Sequence, residues 1–332
     1  MGTDHKPRCG SMGYSPRVRA KKQTPSIGNY APCKDAVALG FVVYKAGMTH
    51  VIAKDLYKNS LSHNMDIHVP VTVLDCPPMT VFGIRAYTNG YNGVEVYTDV
   101  LAEKLDKDLA RAMSVPKEVK NVEDIKKVDD NIAQISEFFL LVHTQPRKSG
   151  MRKKKPEITE IAIGGDVKAQ WAYAKGVMGK ELNVTDIFKE WELIDAIAVT
   201  KGKGFQGPVK RWGIKIQNRK HKRGGHTRHV GAMGTRGRHN LSYLVPMAGR
   251  MGYANRVDVN KLIIKISEKG EEINPKGGFV NYGLVKGTYV LVKGSVPGPR
   301  KRAIAIRKAI RPQKKSHTYA VEKVSTASQQ GS

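Results

Sequence analysis

The stretch VTKGKGFQGPVKRWG, Val199 to Gly213, decides between two kinds of protein. Gly202, Gly204 and Gly207 stand in G-x-G-x-x-G spacing directly behind the apolar run Ile194 to Val199, and Val209 extends the match to the glycine loop of a kinase. A dinucleotide fold would open a helix at the last glycine and place an acid about 20 residues further on to hold the ribose. Pro208 is able to start a helix, yet Trp212, Ile214 and Ile216 alternate with period two around Gly213, a pattern that predicts a strand. No Asp or Glu occurs between Asp195 and Asp258, and neither an H-R-D nor a D-F-G element follows. The glycines do not serve a nucleotide.

The missing acids point elsewhere. From Ala196 to Val257 the chain carries fourteen Lys or Arg and no carboxylate, half of its formal net charge of +28. A solvated protein face would mix signs, and a disordered basic tail would lack Phe205, Trp212, Met233, Tyr243, Met247 and Tyr253. Cations interleaved with aromatics suit phosphate neutralisation and base stacking, so the segment is expected to be an ordered RNA-facing excursion. Its glycines, recurring from Gly202 to Gly252, then let the backbone follow a phosphate surface closely. Free of RNA, the body is expected to fold while the excursion stays mobile, because its like charges repel and it has little apolar surface to bury.

Composition sets the frame. At 332 residues and 40% hydrophobic content the chain is long enough for one large or two ordinary domains with a real core. A pI near 10 calls for a polyanionic partner. A membrane is not expected, since no apolar run approaches the ~18 residues needed to span, and the polar, Pro- and Gly-rich beginning does not resemble a signal peptide. Cys9, Cys33 and Cys76 are odd in number and widely spaced, which favours a reducing compartment, the cytoplasm, over disulfides or a Cys-based zinc site.

Two further basic stretches flank the chain. Lys6, Arg8, Arg17, Arg19, Lys21 and Lys22 lie in a segment without hydrophobic periodicity, expected to order only on a partner. Arg300, Lys301, Arg302, Arg307, Lys308 and Arg311 alternate with Ile304, Ile306 and Ile310, which predicts a basic edge or strand-like arm, while Lys314 to Ser332 reads as frayed. Acids gather instead from Glu95 to Glu137, eleven of them, in segments with apolar residues at helical spacing that are expected to face solvent or protein.

Catalysis is not expected. His221, His226, His229 and His239 lie in the acid-free stretch, and His226 and His229 have a chelating spacing. A metallonuclease would add carboxylates to hold Mg²⁺, and none is local. Phosphate or base contact is the simpler reading. Cys76, before Pro77 and Pro78, has no histidine neighbour and reads as packing.

Short β-rich runs recur: AVALGFVVY, VPVTVLDC, MTVFGIRAY, VEVYTDV, FFLLVHT, IDAIAVT, KLIIKIS and GTYVLVKG. Helical patterns are confined to about residues 101–137 and 166–191. Strands at both ends with helices between them predict a mainly β protein, a β-barrel carrying an α/β insertion. The expected division is a basic N-terminal extension 1–35, a first barrel part 36–98, the insertion 99–193, a second barrel part 194–312 that contains the basic loop 200–257, and a tail 313–332.

Read together, YKAGMTH (44–50), VTVLDCPPMTVFGIRAY (71–87), HTQP (143–146), IDAIAVTKGKGFQGPVKRWG (194–213), AGRMGYANR (248–256) and KGSVPGPRKR (293–302) resemble the ribosomal protein number three family of the large subunit, in its archaeal and eukaryotic branch and on the archaeal side. The resemblance is collinear over most of the chain. It implies a structural rRNA-binding protein that assembles early, with a translation-protein type β-barrel, a long loop reaching towards the peptidyl transferase centre and an N-terminal extension running inward beside it. The implied partners are large-subunit rRNA and neighbouring ribosomal proteins, with no membrane, small-molecule substrate, cofactor or metal. By position, Lys201, Lys203, Lys210, Arg211, Trp212, Arg219, Lys220 and Arg223 fall on the inward strand of the loop, and Arg250, Tyr253 and Arg256 on the return. Charge adds Lys222, Arg228, Arg236 and Arg238 in the loop, Arg17, Arg19, Lys21 and Lys22 before it, and Arg300, Lys301 and Arg302 after it as expected rRNA contacts. One departure concerns the tip: members of this branch often place a tryptophan there, whereas GAMGTRGRHN (231–240) puts Arg236 at the best-aligned position. A guanidinium also stacks on bases and binds phosphate besides. The alternative class is a nucleic-acid-processing enzyme with a dispersed active site.

Overall fold

A computed structural model describes residues 8–328 apart from Lys117, Lys120, Lys222, Ala232, 234–239 and 314–318. The protein is mainly β, and its longest strand, β1 (Gly40–Asp55), organises the body. The first half of β1 is buried throughout and the second alternates from His50 onward. That change of pattern marks where the strand loses cover on one face.

Both edges of β1 are occupied. β2 (Asp66–Asp75) pairs antiparallel along one edge, with a register shift at Lys45/Gly47. The opposite edge takes β13 (Ala303–Lys308) from Gly40 to Tyr44 and β14 (Tyr319–Val324) from Val51 to Asp55. With β8 (Leu193–Val199), β11 (Asn255–Ser267) and β12 (Tyr289–Lys293), the path β13-β8-β11-β12-β2-β1 returns to β13. Six strands therefore close into a ring, which leaves no free edge along that path.

A second, five-stranded sheet runs β4 (Gly93–Leu101), β3 (Met79–Gly90), β5 (Ile135–Thr144) and β6 (Ile158–Ala162), with β7 (Glu181–Leu182) also on β3. Helix α2 (Val167–Val177) packs on β5: the Trp171 indole stacks on Phe138 at 5.0 Å, and the Gln170 side chain accepts the Phe138 backbone N–H at 3.0 Å. Helix α1 (Asn121–Asp130) covers part of β4. One apolar cluster runs through both sheets, from Val71 and Ile304 in the ring to Phe138 and Ile161. Each such buried side chain contributes ~1.5–3 kcal/mol. Among the described residues, no helix is long and apolar enough to cross a membrane.

Several expectations change on the fold. LAEKLDKDLARAM forms only a 3-10 turn, Lys107–Arg111, in place of the longer helix its spacing predicts. Residues 319–324, within the stretch read as frayed, form β14, because β1 outruns β13 and leaves an edge to be paired. The basic arm near the C-terminus is strand β13, yet an interior one, paired with β8 and β1. Its Arg307 is buried and donates to the Asn29 carbonyl and, at 3.4 Å, to the Asp195 carboxylate, which also accepts the backbone N–H of Asn260 at 3.1 Å.

Asp75, at the end of β2, is also buried, and accepts from the Tyr282 hydroxyl at 2.6 Å and the Gly150 N–H at 3.4 Å. Burial pushes its carboxyl above the ordinary value, and the two hydrogen bonds pull against that shift. A carboxyl raised in the folded state favours folding below its unfolded value, and the contribution is lost as pH rises through the folded value. Asp75→Asn does not titrate. Its melting temperature relative to the parent protein is therefore expected to improve between about pH 4 and about pH 7; a constant difference across that range would contradict this assignment.

Two compact units make up the chain. One comprises Lys22–Val199 and the chain from Arg256 onward, and holds both sheets. The other joins the N-terminal segment through Lys21 to Thr200–Asn255.

Candidate nucleic-acid interface

The acid-free excursion begins directly after β8 and ends where β11 begins. Its neck is a closed backbone ladder. Thr200 N–H donates to the Ala254 carbonyl at 3.0 Å, Lys203 N–H to Met251 and Met251 N–H to Gly204 at 2.9 Å each. The two-stranded β9 (Phe205–Gln206) and β10 (Gly249–Arg250) continue it.

No strand forms over Trp212 to Ile216: residues 213–216 have no regular structure, and Trp212 closes a helix, α3 (Pro208–Trp212). Proline at its start presets the backbone angle, and Gly213 ends it with φ of 69°, a left-handed cap that suits glycine. The apolar alternation at 212, 214 and 216 is too short to outweigh these end signals. At five residues the helix does not revive the nucleotide reading, for which the ribose acid is absent anyway.

Trp212 is the hub of this unit. Only 7% exposed, its indole N–H donates to the Met247 carbonyl at 2.7 Å. The Arg17 guanidinium lies 3.8 Å from the ring centroid, Arg211 5.3 Å and Arg8 5.8 Å. Gly10, with φ of +83°, leaves room for the indole: a Cβ there would fall 2.4 Å from a ring carbon. The arginines are held by carbonyls in place of carboxylates. Arg17 donates to Ser11, Arg8 to Leu244, Arg211 to both Met247 and Arg250, and Arg250 to Arg17, at 2.8–3.1 Å. Ala20 N–H adds a bond to the Tyr253 carbonyl at 3.0 Å.

These contacts correct the expectation that the N-terminal segment orders only on a partner: from Arg8 to Lys21 it packs on the neck of the excursion. They also give Trp212 an internal role, since its faces are covered by arginines. The remaining candidates divide by exposure. Arg19, Lys21, Lys22, Lys201, Lys203, Lys210, Arg219, Lys220, Arg228 and Lys301 are exposed, whereas Arg17, Arg211, Arg250, Tyr253, Arg256, Arg300 and Arg302 are half-buried. Arg223 falls within a short 3-10 turn, Arg223–Arg228. Lys222, Arg236 and Arg238, and with them the loop tip, lie outside the described residues. Lys203, Lys210, Arg219, Lys220 and Arg228 form no ion pair among the described residues, in keeping with a stretch that contains no acid. The His226 and His229 rings meet edge to face at 5.2 Å, with no carboxylate in the stretch to complete a metal site.

Sequence reasoning leaves out Phe205 and Tyr243 as site residues, although both stand 75% exposed or more. The available signal is their position inside a polycationic stretch. Lys215, also exposed, carries the same signal and is equally absent from the sequence-based set.

A neck of cations arranged around an indole, leading into an acid-free excursion and carried by a closed ring of strands, defines a structural RNA-binding protein. Likeness to known proteins narrows the class. A family model described as Ribosomal protein L3 matches residues 1–331. The chain is 47% identical over 330 residues to the large ribosomal subunit protein uL3 of Methanococcus aeolicus, covering 98% of each. To the uL3 of Methanobrevibacter smithii it is 46% identical over 335 residues, covering all of both, and to that of Archaeoglobus fulgidus 46% over 330 residues, covering 98% of this chain and 99% of the relative. The chain belongs to the ribosomal protein L3 family. It is a non-enzymatic structural constituent of the large ribosomal subunit, in which it assembles with rRNA and other ribosomal proteins.

Proposed function

We propose that the unit built from the N-terminal segment and Thr200–Asn255 is the rRNA-penetrating arm that holds this protein on the subunit, running towards the peptidyl transferase centre, and that the ring of strands is the body left at the subunit surface. The observation that carries this reading is the absence of any carboxylate in a stretch where Lys201, Lys203, Lys210, Lys215, Arg219, Lys220 and Arg228 stand exposed. Unneutralised like charges repel, and phosphate is the counter-charge that relieves them. Binding of this arm early in assembly gives the rRNA a fixed polycation around which to fold. The protein acts in the cytoplasm, within the subunit.

The test is the salt dependence of binding to an rRNA fragment. Lys210, Arg219, Lys220 and Arg228 changed together to Ala are expected to flatten the slope by about 0.7 to 0.9 log unit for each phosphate that is no longer neutralised. Arg211 is left in place because its donors are used on carbonyls inside the neck. An unchanged slope would show that these side chains do not pair with phosphate.

A further inference from the structure

A cavity of about 580 Å³ opens beside Trp212, between residues 12–17 of the N-terminal segment on one side and Arg211, Trp212 and residues 243–247 on the other. Its walls are apolar where Met12, Pro16, Val245 and Met247 line them, and Ser15, Tyr243, Arg17 and Arg211 add polar groups. We propose that this cavity receives one nucleobase extruded from single-stranded RNA, a site that rests on the rRNA-binding reading above and specifies what the neck recognises.

Four observations carry it. The volume lies within the ~300–1,000 Å³ of small-ligand sites, and the lining has their make-up of apolar walls with a few convergent polar groups. Tyr243 is 75% exposed and its hydroxyl makes no hydrogen bond among the described residues, so a large aromatic surface stands open on a cavity built of side chains suited to cover a flat ring. Arg17 lies 3.8 Å over the indole while also lining the cavity, so that a base placed on it continues a stack of indole and guanidinium. The surroundings carry no acid between Asp195 and Asp258, and Lys210, next to Arg211, is exposed for the flanking phosphate. A base-paired helix is too thick to enter, whereas an unstacked nucleotide is the form in which RNA presents a single ring.

The test compares the full-length protein's affinity for a uridine oligoribonucleotide of about ten residues with that for an abasic oligomer of the same length, at one salt concentration. The parent protein is expected to bind the base-bearing strand about tenfold more tightly, a stacking contribution of the usual size. Tyr243→Ala, at an exposed position, and Val245→Trp, which fills the cavity, are each expected to bring the ratio to within about twofold while leaving abasic binding unchanged. A parent ratio of one, or a ratio that both variants retain, would overturn the proposal. Failure of the parent protein to bind either oligomer would instead strike at the rRNA-binding reading on which the site depends.

Discussion

Trp212→Ala is expected to open the neck of the basic excursion. Removing a buried tryptophan costs ~3–5 kcal/mol where the surroundings do not collapse into the gap, and here the neighbours are arginines fixed by carbonyls. Arg17, Arg211 and Arg8 lose the ring that spaces them, and Met247 loses the indole donor. Three guanidiniums without that ring, and without a carboxylate, repel. Limited trypsin treatment of the free protein reads the result: the parent chain should be cut first at exposed Lys215, Arg219, Lys220 or Arg228, and the variant also at Arg17 and Arg211. Phe205→Ala, at a side chain 78% exposed on the adjoining β9, should leave the parent pattern unchanged. Identical cleavage of parent and Trp212→Ala would remove the indole from its place as hub.

Arg307→Met is expected to weaken the body itself. Asp195 on β8 is 2% exposed, and its carboxylate accepts from the Arg307 guanidinium and from the backbone N–H groups of Asn260 and Ile310. Taking the cation away leaves a buried, uncompensated charge, which costs ~3–5 kcal/mol, a large part of the ~5–15 kcal/mol that holds a typical domain. The methionine keeps much of the stem's packing, so the loss reports charge more than volume. Adding Asp195→Asn should restore most of the stability, because the pair is then neutral and the coupling is removed from both sides at once. Urea denaturation of the three variants measures this. A single variant within about 0.5 kcal/mol of the parent protein would mean that the pair is screened by water.

The ring is legible in the sequence wherever a run is short, apolar and bounded by turn residues: VPVTVLDC forms β2, IDAIAVT β8 and GTYVLVKG β12. The excursion is legible for a different reason, since a missing residue type needs no fold to be seen. What stays hidden depends on contacts between residues far apart in the chain. β14 exists because β1 extends past the end of β13, and nothing in YAVEKV announces the spare edge. Trp212 looks like an RNA contact because it stands among cations, yet the fold places Arg17, nearly two hundred residues earlier, over its ring and a backbone carbonyl under its N–H. Gly10 is required by that same ring, and no local pattern shows it. At α3 the local chemistry is present in the proline and the glycine, and these two end signals outweigh an alternation of only three apolar residues.

The closed ladder at the neck lets the excursion be removed cleanly. Lys203 and Met251, and Met251 and Gly204, are already hydrogen-bonded, so residues 205–250 can be replaced by a two-residue Asn-Gly turn that suits antiparallel strands. The shortened chain and the full chain are mixed separately with large subunits depleted of this protein, washed in moderate salt and sedimented. The shortened chain is expected to fold, with the cooperative melting of the strand body, and to stay in the supernatant while the full chain pellets with the subunits. Retention of the shortened chain to the same extent as the full one would contradict the claim that the acid-free excursion holds this protein on rRNA.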